Sequence, residues 1–365
     1  MPKSTKLDLQ QQVGQLLIMG FDGLAMDNKL RITLSALHPG GVVLFLRNIE
    51  SPKQTWDLLR ECQATARYPM FLCVDVEGGN VDRLKDTIAP TPSAESVFAT
   101  GNPRLFRMHG NILGLEVRAL GFNTDFAPVL DLRLDASRSV LSSRTVSANP
   151  TPVVRYAQEF LRGLKAAKAL GCGKHFPGLG EANLDTHKEL PDIKKPWKKM
   201  WAEDLLPYRR LHRQLPSVMV AHACYPQVTK DKLPASLSRK WITDILRRKI
   251  GYRGLIISDD LEMGGVLAAG SIEDVAVETI RAGADIFLIC HNQELVWRGY
   301  EAVLRAAEKD RKFAARVAQS AARILTFKRR TRELHHFAAE PKARIIATLR
   351  KIVSDYSRVI EEFRA

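Results

Sequence analysis

One loop of the sequence collects side chains that can transfer protons. It runs from Lys174-His175-Phe176-Pro177-Gly178-Leu179-Gly180 to Asp185-Thr186-His187 and follows an apolar run typical of a strand. A carboxylate two residues before an imidazole, as in Asp185 and His187, can hydrogen-bond the ring, fix its tautomer and stabilise its protonated form. Taken alone, this stretch is equally compatible with a polar loop that carries incidental histidines. Its meaning therefore depends on the elements that position it.

Short apolar runs alternate with helix-like segments along the chain, which predicts parallel strands joined by right-handed crossovers. Eight such runs favour a (β/α)8 TIM-type barrel, and no Gly-x-Gly-x-x-Gly motif supports a dinucleotide-binding sheet. The predicted strands are Gln15–Gly20, Gly41–Leu46, Met70–Val76, Phe122–Val129, Ala169–Phe176, Ser217–His222, Gly254–Asp259 and Ala284–Cys290. The predicted helices include Pro52–Ala66, Pro103–Leu120, Pro152–Lys168 and Ser238–Lys249.

Ionisable side chains stand where four of these strands end. They are Asp75 and Glu77 on the third, Lys174 and His175 on the fifth, His222 on the sixth, and Asp259 and Asp260 on the seventh. The carboxyl ends of barrel strands share one opening, and the catalytic residues of barrel enzymes lie there. The repeated coincidence predicts an enzyme without reference to any relative.

The composition is that of an ordinary globular protein, with 45% hydrophobic and 26% charged residues among 365. We find neither a secretory signal pattern nor an apolar run long enough to span a membrane, so we expect a cytoplasmic protein. Five scattered cysteines predict buried, reduced thiols rather than disulfides or a zinc site. They are Cys62, Cys73, Cys172, Cys224 and Cys290. We expect no metal and no organic cofactor.

The net charge of +15 raises the question of nucleic-acid binding. Much of the excess lies in Lys194, Lys195, Lys198 and Lys199 and in the run Lys328–Arg332. No nucleic-acid-binding motif accompanies these lysines and arginines, so we expect a generally basic surface and no nucleic-acid partner. The first run could also steer an anionic substrate towards the loop.

The pattern changes after residue 328. Apolar residues recur at helical spacing from Ile345 to Phe363, just after Pro341. This spacing predicts an amphipathic helix docked on the barrel or on another subunit, in preference to a helix on a membrane surface. We therefore expect a catalytic domain over residues 1–328 and a basic, amphipathic helical extension over residues 329–365. The sequence does not predict an oligomeric state.

Six motifs in order and spacing resemble glycoside hydrolase family 3, and within it the single-domain bacterial β-N-acetylglucosaminidases of the NagZ type. The motifs are His38–Phe45, Val74–Leu84, Asp125–Leu132, Lys174–His187, Met219–Pro226 and Gly254–Met263. The resemblance spans about Leu9 to Lys328. It implies a retaining exo-hydrolase of terminal β-linked N-acetylglucosamine, acting on muropeptides during peptidoglycan recycling.

By this resemblance Asp259 is the nucleophile that forms a glycosyl-enzyme, and His187, oriented by Asp185, is the acid/base. An imidazole suits both steps near neutral pH, because its cation protonates the leaving oxygen and its neutral form accepts a proton from water. Asp260 is the competing candidate for the nucleophile. Adjacent strand residues point to opposite sides, however, and a helix N-terminal cap suits Asp260 better.

The resemblance places five further residues at the terminal sugar. They are Asp75, Arg83, Arg144, Lys174 and His175. The carboxylate can accept hydrogen bonds from sugar hydroxyls, the three cations can donate them, and the imidazole can do either. Arg83 could instead form an ion pair with Asp75 or Glu77. His222 would line the site or support its floor without a catalytic role.

The chain departs from the family pattern at Leu179, where a histidine is usual, and at Asn80 and Thr145-Val146. Two alternatives to the hydrolase stay open. A phosphorylase would transfer the sugar to phosphate instead of water, because a histidine acid/base would not repel phosphate as a carboxylate would. A non-catalytic sugar- or muropeptide-binding protein is the second alternative, and Leu179 would be an early sign of lost activity.

Overall fold

Eight parallel strands close into a barrel, in the order in which they occur along the chain, and this confirms the predicted (β/α)8 fold. The structure is a computed structural model that describes residues 7–184 and 189–363. The strands are β1 (Leu17–Met19), β2 (Gly41–Val43), β3 (Phe71–Val74), β4 (Thr124–Asp125), β5 (Leu170–Phe176), β6 (Ser217–Val220), β7 (Leu255–Asp260) and β8 (Ile286–Ile289). The ring closes where β1 pairs with β8, with Leu17 opposite Phe287.

Helices surround the strands, and the hydrophobic core fills the barrel and the layer between strands and helices. The α-helices are α1 (Leu9–Gln15), α2 (Asn28–Leu37), α3 (Pro52–Thr65), α4 (Ala94–Ala99), α5 (Pro103–Ala119), α6 (Arg138–Leu141), α7 (Pro150–Ala166), α8 (Trp197–Ala202), α9 (Leu206–Leu211), α10 (Pro226–Thr229), α11 (Gly264–Leu267), α12 (Ile272–Ala282), α13 (Gln293–Lys309), α14 (Arg311–Arg330) and α15 (Ala343–Glu362). A π-helix, Lys240–Lys249, precedes β7 where a helix was predicted.

Three long helices begin with the same local signal, a capping side chain followed by proline. Ser51, Asn102 and Asn149 each accept a hydrogen bond from a backbone N–H of the first turn of α3, α5 and α7. Proline at the next position has no N–H to leave unpaired, and its fixed φ suits a helix start. The predicted starts of α3 and α5 are confirmed, and α7 begins at Pro150 rather than Pro152.

Seven of the eight predicted strands were longer than the strands observed, and three of them show why. Gln15 ends α1, so the first strand begins only at Leu17. The fourth strand keeps two paired residues, Thr124–Asp125, and shortly afterwards the chain reaches Pro128, whose nitrogen cannot donate to a ladder. The third strand leaves the barrel after Val74, and a hairpin of Val76–Gly78 and Val81–Asp82 follows it.

The C-terminal helix α15 docks on the barrel's own helices, which is one of the two predicted arrangements. It packs against α5, and the Tyr356 hydroxyl donates to the carbonyl of Leu105 at 2.8 Å. The Arg350 guanidinium donates to the carbonyls of Thr87 and Ile88, both at 3.1 Å. Thr87 and Ile88 closely follow the hairpin after β3. The C-terminal extension therefore stabilises a segment next to the barrel mouth.

The cysteine prediction is confirmed, since all five thiols are buried and free. The charge prediction needs a correction, because two lysines of the predicted basic surface are buried. Lys195 is 2.6 Å from a carboxylate oxygen of Asp204, and Lys328 donates to Gln15 and to the carbonyl of Gly40. Within residues 7–184 and 189–363, no helix combines the length and apolar character needed to cross a membrane.

Candidate active site

A cavity of about 490 Å³ opens at the carboxyl ends of the strands, and six of the predicted site residues line it. They are Asp75, Arg83, Arg144, Lys174, His175 and Asp259. Small-molecule sites usually enclose about 300–1,000 Å³, so the cavity has a suitable size for a sugar. These residues come from distant parts of the chain. The strand-end pattern predicts that Asp75, Lys174, His175 and Asp259 meet here, and the resemblance predicts the same for Arg83 and Arg144.

Glu77, whose role the sequence left open, lies at the centre of a buried ion-pair cluster. Its carboxylate accepts hydrogen bonds from Nε and Nη2 of Arg144 at 2.7 and 2.9 Å and lies 2.7 Å from Nζ of Lys174. Lys174 also donates to Asp75 at 2.6 Å. Burial favours a higher pKa for Glu77, but the charges of Arg144 and Lys174 outweigh it and hold the pKa well below its usual range. Glu77 thus fixes two of the predicted sugar-binding cations.

Gly78 explains how the hairpin can hold Glu77 in place. Its φ of +81° is in the left-handed region, which glycine adopts without strain. A Cβ at this position would lie 2.3 Å from the carbonyl oxygen of Pro92 and 2.8 Å from Nε2 of His109. Only a glycine therefore lets the hairpin pack this closely against its support.

Asp131 is a residue of the site that was not predicted from the sequence. Its buried carboxylate lies 2.7 Å from Nδ1 of the His175 ring and accepts hydrogen bonds from the backbone N–H groups of His175 and Leu179 at 3.2 and 2.8 Å. The other ring nitrogen, Nε2, lies 3.4 Å from Nη2 of Arg144. A carboxylate can only accept a hydrogen bond, so Nδ1 of the ring donates to Asp131. Membership of the Asp125–Leu132 motif was the signal that could have identified Asp131.

Asp259 and Asp260 both line the cavity, but their surroundings differ. Burial favours a higher pKa for Asp259, yet nearby His175 and His222, together with the N–H of Asp260 at 2.9 Å, leave that pKa below its usual value. Burial raises the pKa of Asp260 to about 8, and the charges of Glu262 and Asp259 add to the rise. At neutral pH Asp259 is therefore the charged member of the pair, and Asp260 is largely protonated.

The Asp260 side chain connects two loops by hydrogen bonds. It does not cap a helix, so the helix N-terminal cap predicted for it is wrong. Its Oδ1 accepts hydrogen bonds from the backbone N–H groups of Glu262 at 3.1 Å and Cys290 at 3.2 Å, whereas α11 begins only at Gly264. The His222 ring contacts the same strand end, with Nε2 2.9 Å from the carbonyl oxygen of Asp260. His222 therefore supports the floor of the site, which was one of the two roles expected of it.

Arg83 has no ion pair with Asp75 or Glu77 within the described part of the chain, so the alternative predicted for it is not found. Lys174 and Arg144 occupy those carboxylates instead. The Nε of Arg83 is buried and has no hydrogen-bond partner among the described residues. Because Arg83 also lines the cavity, its guanidinium group is placed to contact a ligand there.

The loop that follows β5 forms one wall of the cavity. Leu179, Asn183 and Leu184 line it, and the Leu179 side chain is buried. The predicted acid/base His187 and its partner Asp185 lie outside the described residues. Over the ranges that the structure describes, no group of three or more His, Cys, Asp and Glu side chains is arranged to hold a metal ion.

The sequence matches the model of the glycosyl hydrolase family 3 N terminal domain over residues 8–327. The chain belongs to glycoside hydrolase family 3. A β-hexosaminidase from Idiomarina loihiensis is 36% identical over 297 residues, which cover 80% of this chain and 88% of that protein. The predicted enzyme class, a glycoside hydrolase of the β-N-acetylhexosaminidase type, is confirmed.

Two solved family 3 structures resemble the whole fold. A β-N-acetylglucosaminidase from Paenibacillus sp. str. FPU-7 superposes with a TM-score of 0.90 at 32% identity, covering 96% of this chain and 69% of that one. NagZ from Neisseria gonorrhoeae, in complex with N-trifluoroacetyl-D-glucosamine, superposes with a TM-score of 0.70 at 31% identity, covering 85% and 97%. Because the Paenibacillus structure covers 96% of this chain, the superposition includes much of the C-terminal extension, residues 329–365.

Proposed function

We propose that the protein is a retaining exo-β-N-acetylglucosaminidase in which Asp259 is the nucleophile. The observation that carries this proposal is that Asp259, ionised at neutral pH, lines one cavity with Asp75, Lys174 and His175. A retaining glycosidase needs an ionised carboxylate that can attack the anomeric carbon and form a glycosyl-enzyme. Asp260 suits this role less well, because it is largely protonated and its Oδ1 is engaged by two backbone N–H groups.

His187 is the proposed acid/base, with Asp185 as its orienting carboxylate. Leu184 lines the cavity, and His187 follows it by three residues in the sequence. In the first step Asp259 bonds to the anomeric carbon while protonated His187 gives its proton to the leaving oxygen. In the second step neutral His187 takes a proton from water, whose oxygen displaces Asp259 and releases the sugar.

The remaining lining residues suit recognition of a terminal sugar. Asp75 can accept hydrogen bonds from hydroxyls, and the Arg83 guanidinium can donate them. Arg144, Lys174 and His175 complete the proposed binding set, and Glu77 and Asp131 orient them. N-acetylglucosamine is the favoured sugar because the Paenibacillus relative is a β-N-acetylglucosaminidase and the Neisseria relative binds an N-acylglucosamine analogue.

Muropeptides released from peptidoglycan are the proposed natural substrates, as the resemblance to NagZ-type enzymes suggests. Five buried, free cysteines fit a reducing compartment such as the cytoplasm. We expect the purified protein to release N-acetylglucosamine from a muropeptide of N-acetylglucosamine and anhydro-N-acetylmuramic acid. Mass spectrometry of the products tests this directly.

The catalytic assignment is tested with p-nitrophenyl β-N-acetylglucosaminide and the variants Asp259→Ala and His187→Ala. Removing the nucleophile should lower kcat at least about a thousandfold. Removing the acid/base should lower kcat by about 10²–10⁴ but leave a burst of nitrophenol, because this leaving group needs little protonation and only the second step stalls. An Asp259→Ala enzyme with near wild-type kcat would contradict the proposal.

Added phosphate separates the hydrolase from the phosphorylase. A hydrolase yields N-acetylglucosamine at a rate independent of phosphate, with the β-anomer formed first as retention requires. A phosphate-dependent rate and a glycosyl phosphate product would instead identify a phosphorylase. No turnover of either substrate, with retained binding of N-acetylglucosamine, would identify a sugar-binding protein.

A further inference from the structure

A second cavity lies at the opposite end of the barrel from the candidate active site. It encloses about 550 Å³ and is lined by seven arginines. Among the described residues no aspartate or glutamate contributes to this lining. Gly283 and Arg253 line it and stand shortly before β8 and β7, so it opens at the amino ends of the strands. We call it the arginine cavity.

One buried carboxylate holds three of these arginines. Asp285 pairs with Arg247, with Arg323 at 2.5 Å and, more distantly, with Arg316 at 3.5 Å. Three guanidinium groups against one carboxylate leave an excess of two positive charges. Burial lowers the pKa of Arg247, and the charges of Arg323 and Arg316 lower it further against the opposing effect of Asp285. The Nε of Arg247 is buried without a hydrogen-bond partner in the described structure.

Two other arginines of the lining have no carboxylate partner within residues 7–184 and 189–363. They are Arg239, just before the π-helix, and Arg253, on the loop that leads into β7. The last two, Arg248 and Arg281, are already paired, with Asp244 at 3.1 Å and with Glu278 at 3.0 Å. The arginine cavity therefore concentrates positive charge that the fold itself does not neutralise.

We propose that the arginine cavity is a binding site for a diphosphate group, separate from the glycosidase site. Guanidinium groups bind phosphate oxygens through paired N–H donors, and several of them around one cavity match an anion with many oxygens. A diphosphate carries several negative charges, which the excess positive charge requires, whereas a single carboxylate would neutralise only one arginine. The cavity volume lies within the range of small-molecule sites, about 300–1,000 Å³.

Free pyrophosphate and a nucleoside diphosphate share this chemistry, so both serve as probes. Isothermal titration of the full chain with pyrophosphate and with uridine diphosphate, at about 0.15 M salt, should each give one saturable site. Tighter binding of the nucleotide would add a nucleoside contact to the proposed site. Equal binding would assign the site to the phosphate groups alone, and either result supports the proposal.

The double variant Arg239→Gln, Arg253→Gln removes the two exposed cations that make no ion pair, so we expect it to fold. Its affinity for pyrophosphate should fall by about tenfold or more. The matched control Arg104→Gln, Arg344→Gln makes the same change in net charge at exposed positions elsewhere, and its affinity should stay within about twofold. Hydrolysis of the nitrophenyl substrate should be unchanged in both variants.

A second variant, Arg239→Lys, Arg253→Lys, keeps the charge but loses the paired donors, and we expect intermediate affinity. Absence of saturable binding of both probes would overturn the proposal. An equal loss of pyrophosphate affinity in the double variant Arg239→Gln, Arg253→Gln and in the matched control would also overturn it. The net charge of the protein, rather than the arginine cavity, would then explain the binding.

Discussion

Replacement of Glu77 by glutamine should show how much the site depends on one buried charge. Glutamine keeps the shape of glutamate but turns one of two acceptor oxygens into a donor, facing the N–H groups of Arg144 and Lys174. The side chains of Glu77 and Lys174 are each 3% exposed and that of Arg144 is 16% exposed, so water cannot replace the lost charge. Removing one partner of a buried ion pair costs about 3–5 kcal/mol, and we expect a loss of that size in the free energy of unfolding.

Glu159→Gln is the matched control for this change. Glu159 also binds two arginines, Arg107 at 2.7 Å and Arg162, but these arginine side chains are 56% and 51% exposed. The Glu159 side chain is only 12% exposed, but water can solvate both of its arginine partners. The control should therefore lose less stability than Glu77→Gln. Urea unfolding followed by tryptophan fluorescence gives both differences, provided that the slope m stays unchanged.

Catalysis should respond to Glu77→Gln as well, because Arg144 and Lys174 would no longer be held at the sugar. A misplacement of about 1 Å can cost about a hundredfold in rate, and we expect kcat/KM to fall by about that factor. The contribution of Glu77 to stability should be present above pH 4.5, its ordinary pKa, and be lost as the pH falls towards the lower pKa of the folded state. Equal losses of stability in Glu77→Gln and Glu159→Gln would refute the argument from burial.

Three further changes test other parts of the molecule. Asp260→Asn should keep kcat within about tenfold of wild type in the nitrophenyl assay, because an amide imitates the protonated carboxyl, and a loss as large as that of Asp259→Ala would contradict this. Lys328→Met should remove a rise in stability between pH 7 and 10.5, worth about 5 kcal/mol, because burial lowers the pKa of Lys328 to about 7. Between these pH values the unfolded chain binds a proton that the folded protein does not, and urea midpoints across that range provide the test. We propose that residues 329–365 stay docked on domain 1–328, so Tyr356→Ala should cost about 3–5 kcal/mol and expose α15 to proteolysis, whereas an unchanged digestion pattern would argue against docking.

The barrel could be predicted because its signal is local and repeated. Each apolar run is short enough for a strand, and several amphipathic segments begin at their own capping residue, as α3 does at Ser51 and α5 at Asn102. The errors lie where tertiary structure overrides the local pattern. The hairpin after Val74 directly follows an apolar run of the sequence, and its turn depends on the left-handed conformations of Gly78 and Gly79.

The site residues could be predicted individually, but the partners that orient them could not. Asp75, Lys174, His175 and Asp259 could be predicted because each is an ionisable residue at the end of an apolar run, which the local sequence alone shows. The roles of Glu77 and Asp131 appear only when distant segments meet, because their meaning is a set of distances to other side chains. The arginine cavity was likewise not predicted, because its residues are spread from 239 to 323 and meet only in the fold. The sequence indicated only the lysines and arginines that are adjacent along the chain.

The substitution at Leu179 is consistent with a working site, and the reason lies in the backbone. The loop is anchored to Asp131 by the N–H of Leu179 at 2.8 Å, a contact that any residue except proline can make. The side chain instead packs in the core and lines the cavity. Replacing a histidine there changes the polarity of one wall without removing the bond that docks the loop. A change of this kind should alter substrate preference before it alters the geometry of Asp259, which the separate strand β7 positions.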